Sequence, residues 1–173
     1  MKSRVAAMVV IRQYDPSDLD ACRRLWEELT EWHRSIFESP SIGGDDPGRQ
    51  FDEHLGRVGP RSVWVAVVDG EVVGLAGLIV ADGTAELEPV VVTERRLGQG
   101  IGRRLADAAI AQARELGIRQ LEVRPVARNR EAIRFFHRLG FDVLDQLGLL
   151  LDLNPEERPW RASERVADRD FRV

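Results

Sequence analysis

The segment that most limits what this chain can fold into lies near its middle. An apolar stretch, A-E-L-E-P-V-V-V-T (85–93), runs into R-R-L-G-Q-G-I-G-R-R (95–104). Ile101, Leu105, Ala108, Ala109 and Leu116 then recur at helical spacing. Gly98, Gly100 and Gly102 let the backbone turn tightly and approach a ligand closely. The first N–H groups of the helix have no partner within it and carry the positive end of its dipole. A strand, a glycine turn and an open helix start form an anion site suited to a pyrophosphate. Arg95, Arg96, Arg103 and Arg104 border the turn. They can add charge-assisted bonds to phosphates, although each taken singly reads as a solvated arginine.

Two other phosphate-binding patterns are excluded. The dinucleotide pattern G-x-G-x-x-G, begun at Gly98, would need glycine at 103, which is Arg103. The nucleotide P-loop needs Gly-Lys-Ser/Thr, and the chain's lone lysine is Lys2.

The rest of the chain reads as a mixed α/β sheet. Residues 8–14 suit a strand. Asp15–Pro16–Ser17–Asp18 reads as a helix start, and apolar residues follow at helical spacing to Ile36. Residues 39–48 read as a loop and about 49–58 as a short helix. Asp69–Gly70 is a hairpin turn between strands 62–68 and 71–80. Further strands are expected over 84–93, 118–124 and 141–153, with a helix from Asn129 to Leu139 and Gly140 as its C-cap. Residues 1–153 are expected to form one domain, with 154–173 as a charged tail that contains Trp160 and Phe171.

Composition narrows the class. The 173 residues are 43% hydrophobic and 31% charged, with net charge −4. That is ordinary for a soluble globular domain and gives no overall case for nucleic acid or a membrane surface. No apolar run approaches the roughly 20 residues that span a bilayer. The single cysteine, Cys22, cannot form an internal disulfide, so a cytoplasmic protein is the plain reading. His33, His54, His137 and Cys22 have no zinc spacing, and no metal is expected.

Two blocks resemble the GNAT superfamily of acyl-CoA-dependent N-acetyltransferases: A-E-L-E-P-V-V-V-T-E-R-R-L-G-Q-G-I-G-R-R-L (85–105) and V-R-P-V-A-R-N-R-E-A-I-R-F-F-H-R-L-G-F (123–141). The resemblance implies a mostly antiparallel sheet with a splayed central strand pair, flanked by about four helices. It implies acetyl-CoA as the acyl donor and direct transfer to an amine in a ternary complex. Backbone N–H groups from Gly98 through Gln99, Gly100, Ile101 and Gly102 to Arg103 would hold the pyrophosphate. Val90, Val91 and Val92 would run beside the pantetheine arm, Val90 and Val92 pairing with it by backbone. The Val90 N–H would polarise the thioester carbonyl. Asn129 matches a residue that often contacts the coenzyme and equally reads as a helix N-cap. Pro89 would sit where the strands splay. Leu97 replaces the Gln or Arg that opens the family's glycine motif. Phe136 stands where many members have a tyrosine that protonates the departing thiolate.

Transfer needs a group to accept the amine's proton and a donor for the thioester oxygen. Glu86 and Glu88, two apart on a strand, face the same side. Either serves as base or as anchor for a cationic substrate. With Phe136 in place, thiolate departure without a side-chain acid is expected; His137 and Tyr14 read as surface and core-edge residues. The resemblance places the acceptor side over 26–55, a region that includes Trp32, His33, Phe37, Phe51 and His54; its tryptophans and phenylalanines read mainly as core, and the carboxylates of the loop 41–46 read as solvated or as lining a pocket for a cation. The acceptor would be a small-molecule or peptide amine, and the resemblance leaves a homodimer open. The alternative function is a catalytically weak acyl-CoA sensor or interaction module.

Overall fold

The computed structural model describes residues 8–151, 153 and 162–173. They fall into two compact units, Met1–Val123 and Arg124–Val173. Four α-helices occur among the described residues.

The first unit is a five-stranded sheet in the order β1-β2-β3-β4-β5. Its strands are β1 (Val9–Gln13), β2 (Val63–Val68), β3 (Glu71–Ala81), β4 (Thr84–Val92) and β5 (Gln120–Glu122). Pairing is antiparallel from β1 to β4 and parallel between β4 and β5. Asp69 and Gly70 both adopt positive φ, 52° and 82°, the twist that a two-residue hairpin turn demands. Asp82 and Gly83 repeat it between β3 and β4.

Helices cover both faces of this sheet. On one face, Cys22 and Leu25 of α1 (Leu19–Phe37) and Phe51 of α2 (Gln50–Val58) pack on Val63, Val65, Leu75 and Val91. On the other lies α3 (Ile101–Glu115), which buries Ile101, Leu105, Ala106, Ala109 and Ala113. Double coverage explains why β2 is apolar at nearly every position rather than alternating. Gly74 lets α3 approach: a Cβ there would stand 3.0 Å from Leu105 Cδ1 and 2.9 Å from the Val91 carbonyl oxygen.

A buried carboxylate joins β1 to the start of α1. The Asp15 carboxylate accepts from the Ser17 N–H at 2.9 Å, and Asp18 accepts from the Asp15 N–H at 2.9 Å. Arg12 on β1 adds two donors to the same Asp18 carboxylate, at 2.6 and 2.8 Å.

In the second unit, α4 (Arg130–Arg138) starts at Asn129, whose side chain accepts from the Ala132 N–H at 3.0 Å. Gly140, just beyond its end, has φ +99°. The expected strand over 141–153 does not form at residues 141–151 or 153. An apolar, strand-prone run becomes a strand only when another backbone accepts its hydrogen bonds, and among the described residues none pairs with it. Val143, Leu149, Leu151 and Leu153 are exposed. The tail instead contributes a hairpin, β6 (Ser163–Val166) and β7 (Arg169–Arg172), with Glu164 ion-paired to Arg130. Trp160 lies outside the described residues. The strand expected over 118–124 is shorter, Gln120–Glu122.

The Arg12 hydrogen bonds hold the Asp18 carboxyl below its ordinary value. Asp18 therefore stabilises the fold above the unfolded carboxylate pKa, and that contribution is lost as pH falls through the folded value. Asp18→Asn should cost about 1–3 kcal/mol at pH 7. Denaturant unfolding of both proteins should show the difference shrinking below about pH 4.

Candidate active site

The site begins where β4 and β5 part. They pair only at Thr84↔Gln120, Ala85↔Leu121 and Glu86↔Glu122. Beyond Glu86, β4 continues to Val92 with no strand on that side among the described residues, while β3 pairs with it as far as Gly74↔Val92. The Thr93 N–H donates to the Val73 carbonyl at 2.9 Å. Antiparallel ladders alternate, so Val91 exchanges bonds with β3 whereas the backbone groups of Val90 and Val92 point away from it. They face the space that β5 has left.

A bulge precedes Val90. Ala76 pairs with Val90 and Leu78 with Leu87, so Glu88 and Pro89 together stand opposite Gly77. Pro89, which lacks a ladder donor, sits in this irregularity and is buried.

Past Val92 the chain makes one tight turn, Glu94–Arg96, and enters the glycine segment. Gly98 and Gly100 have φ +73° and +77°, and a Cβ at either would meet nothing within 4 Å. Backbone conformation, not crowding, therefore calls for glycine. Gly100 is the N-cap of α3 and supplies no side chain to its first turn. The N–H groups of Ile101, Gly102 and Arg103 thus start the helix without a side-chain cap, a donor cluster suited to an anion. Leu97, Gly98, Gln99 and Gly100 are exposed, and Ile101 is buried. Arg96 lies 3.7 Å from Asp69, and Arg103 lies 3.7 Å from Asp107. Thr93, buried, donates its hydroxyl to Glu28 of α1 at 3.1 Å.

Glu88 stands on the face that α2 covers, with Arg57 of α2 at 3.8 Å. Glu86, paired opposite Ile79 and half-buried, is two residues away and shares that face. Tyr14 packs on Phe51 with ring centroids 5.8 Å apart, and burial raises its phenol pKa. Cys22 is fully buried and its thiol is pushed up to about 12, which keeps it protonated and inert. The loop over 41–46 is held by Arg34, which donates to the carbonyls of Ile42 at 2.8 Å and Gly44 at 2.6 Å. Beside it, Arg23, Glu27, Asp46, Arg49 and Asp52 line an open cavity of about 530 Å³. Within the second unit, Asn129 caps α4. Phe136 packs edge-on against Phe135 and Phe141 at 5.1 and 5.8 Å, and His137 is exposed.

Sequence reasoning passed over Gly77 and placed His54 only within the expected acceptor side. His54 is 4% exposed, and burial pushes its imidazole pKa down to about 4. Its ring stacks at 5.1 Å on Trp26, and its Nε2 has no hydrogen-bond partner. The signal for Gly77 was present, since glycine inside an apolar strand marks a bulge or a close approach.

A sequence profile described as the Acetyltransferase (GNAT) family matches residues 26–141. The curated "Uncharacterized N-acetyltransferase YjgM" of Escherichia coli (strain K12) is 34% identical over 89 residues, which cover 49% of this chain and 53% of that protein. The chain thus spans about half the length of the curated relative it matches. Two solved structures share its fold. The PaiA N-acetyltransferase from Thermoplasma acidophilum, in complex with coenzyme A, has a TM-score of 0.71 at 19% identity over 82% of this chain and 94% of that one. Aminoglycoside N-acetyltransferase AAC(6')-Iy, in complex with CoA, has a TM-score of 0.65 at 17% identity over 87% and 99%. With a profile that spans both the parted strand and the glycine turn at α3, the chain belongs to the GNAT family of acetyltransferases.

Proposed function

We propose that this protein transfers an acetyl group from acetyl-CoA to a primary amine by direct attack in a ternary complex. The observation that carries the reading is the orientation of Val90 and Val92, whose backbone groups face a gap in the sheet just before the uncapped start of α3. Two fold relatives in complex with CoA support acyl-CoA as the donor.

Acetyl-CoA brings the activated acyl group. The chain's part is to bind, aim and move a proton. N–H groups from Gly98 to Arg103 take the pyrophosphate. Val90 and Val92 pair with the pantetheine arm as a further strand would, and the Val90 N–H opposes the charge that builds on the thioester oxygen. The amine approaches from the α1/α2 face, where Glu86 or Glu88 takes its proton or holds its charge. The amine nitrogen bonds to the acyl carbon, the carbon–sulfur bond breaks, and the electron pair leaves on sulfur. Phe136 offers no proton, so the sulfur leaves as thiolate. The buried lone cysteine suits a reducing, cytoplasmic setting. No helix among the described residues is long and apolar enough to cross a membrane.

Phe136 also favours a second reading, an acyl-CoA sensor without turnover. Thiol release separates the two. A panel of amino acids, polyamines, aminoglycosides and peptide N-termini should contain an amine that liberates free CoA from acetyl-CoA. Acetyl-CoA binding with no thiol released by any amine would favour the sensor. With an active amine in hand, Glu86→Gln or Glu88→Gln should lower kcat by about 100-fold or more while CoA affinity holds. Retention of full activity in both variants would remove the carboxylates from the mechanism.

The glycine turn makes a separate prediction. Gly100→Val places a β-branched residue at positive φ, a strain of about 1–3 kcal/mol. Relaxing it moves the first N–H groups of α3. Calorimetry should show CoA affinity reduced at least tenfold in a protein that still folds; unchanged affinity would mean that the pyrophosphate lies elsewhere.

A further inference from the structure

Thr93 is the corner between β4 and the glycine turn, and each of its polar groups holds a different element. Its N–H donates to the Val73 carbonyl of β3 at 2.9 Å, and its carbonyl accepts from the Arg96 N–H at 2.9 Å. Its hydroxyl donates to Glu28 Oε1 of α1 at 3.1 Å. A threonine at the start of a helical turn ordinarily spends its side-chain oxygen on an N–H of that turn. Here it does not: the turn Glu94–Arg96 starts at Thr93 without a side-chain cap. The hydroxyl instead serves a contact with a helix 65 positions earlier in the chain. Thr93 is 6% exposed, so removing the carboxylate would take the acceptor from a buried donor, which is costly.

The corner is also where the path of the glycine turn is decided. Leu97, Gly98, Gln99 and Gly100 are exposed, and glycine backbone bends at little cost. Such a segment takes its course from its two ends. At the far end α3 buries Ile101 and Leu105. At the near end stand Thr93 and Arg96, whose guanidinium lies 3.7 Å from Asp69 of the β2–β3 hairpin. That ion pair is partly solvated and contributes little. Thr93, buried and bonded on three sides, is the firmer anchor.

We infer that Glu28 is a positioning residue for the acyl-CoA site and acts through Thr93. By holding the Thr93 hydroxyl it sets where the turn leaves the sheet, and so where the N–H groups from Gly98 to Arg103 point. A carboxylate cannot donate to a phosphate, so Glu28 acts on the backbone that does. This role rests on the proposed function for what those N–H groups bind; the contact between Glu28 and Thr93 does not.

The test uses the full chain, with free CoA as the probe in calorimetry. Thr93→Val and Glu28→Ala each remove the bond and should each weaken CoA binding by about tenfold or more. Thr93→Ser keeps the hydroxyl and Glu28→Gln keeps an acceptor oxygen, so both should bind within about threefold of wild type. Because one bond is shared, the double variant Thr93→Val, Glu28→Ala should bind within about threefold of the weaker single variant. With an active amine, kcat at saturating acetyl-CoA should stay within about threefold of wild type in Glu28→Ala, the loss falling on KM. Wild-type CoA affinity in Thr93→Val and Glu28→Ala, even with lowered stability, would overturn the assignment, as would losses that add in the double variant. A second measurement needs no ligand. In the free protein, Glu28→Ala should speed amide exchange at Thr93 and Arg96 by about tenfold and leave Val91, inside the ladder, within about threefold. Unchanged exchange at Arg96, or equal acceleration at Val91, would overturn the assignment. If the wild type binds no CoA, the proposed function fails, and exchange at Arg96 still decides whether Glu28 holds the turn.

Discussion

The site depends on β4 keeping β3 while losing β5. A central strand normally spends its backbone groups on two neighbours. Here one neighbour stops at Glu122, and half of the main-chain groups beyond Glu86 turn toward a side where no strand pairs with them among the described residues. Open backbone groups inside a sheet are costly unless something bonds to them. An extended ligand with its own amides is what such an edge accepts. The glycine turn then sets the uncapped start of α3 just beyond the same strand, so that in the proposed reading one continuous piece of chain, Glu86 to Arg103, would serve both the arm and the phosphates.

The two faces of the sheet divide the labour. On one, Gly74 lets α3 close on the sheet, which fixes where the helix start points. On the other, Gly77 lets α2 bring His54 against the bulge, and Glu86 and Glu88 share that face. Two glycines three residues apart on β3 thus admit a helix on each side. The Thr93 hydroxyl bond to Glu28 ties the end of β4 to α1. The pieces that would aim the donor and receive the acceptor meet on β3 and β4.

Local chemistry made much of this legible in the sequence. Asp69–Gly70 and Gly98–Gly100 announce a backbone conformation that few other residues take, the Asp15 side chain announces a cap, and the structure has them there. The helical repeats of α1 and α3 were equally plain, because burial on one side leaves a period. What sequence could not show was pairing. Residues 141–153 look like a strand by composition, yet a strand needs a partner, and the described residues form none there. The hairpin of β6 and β7 was invisible for the converse reason, since S-E-R-V and R-D-F-R are too polar to read as strands. The parting of β4 from β5 came from family resemblance alone. The burial of His54 against Gly77 could not be read from sequence because it depends on a glycine in a distant strand.

The most direct measurement is residue-resolved amide hydrogen exchange with and without acetyl-CoA. Val91 and Thr93 bond to β3, so their amides should be protected in both states. Val90 and Val92 should exchange readily in the free protein and slow sharply with acetyl-CoA, as should the amides from Gly98 to Arg103. That alternation along β4 is the result the account predicts. Unchanged exchange at Val90 and Val92 when acetyl-CoA is bound would contradict it, because the ligand would then lie somewhere other than the gap.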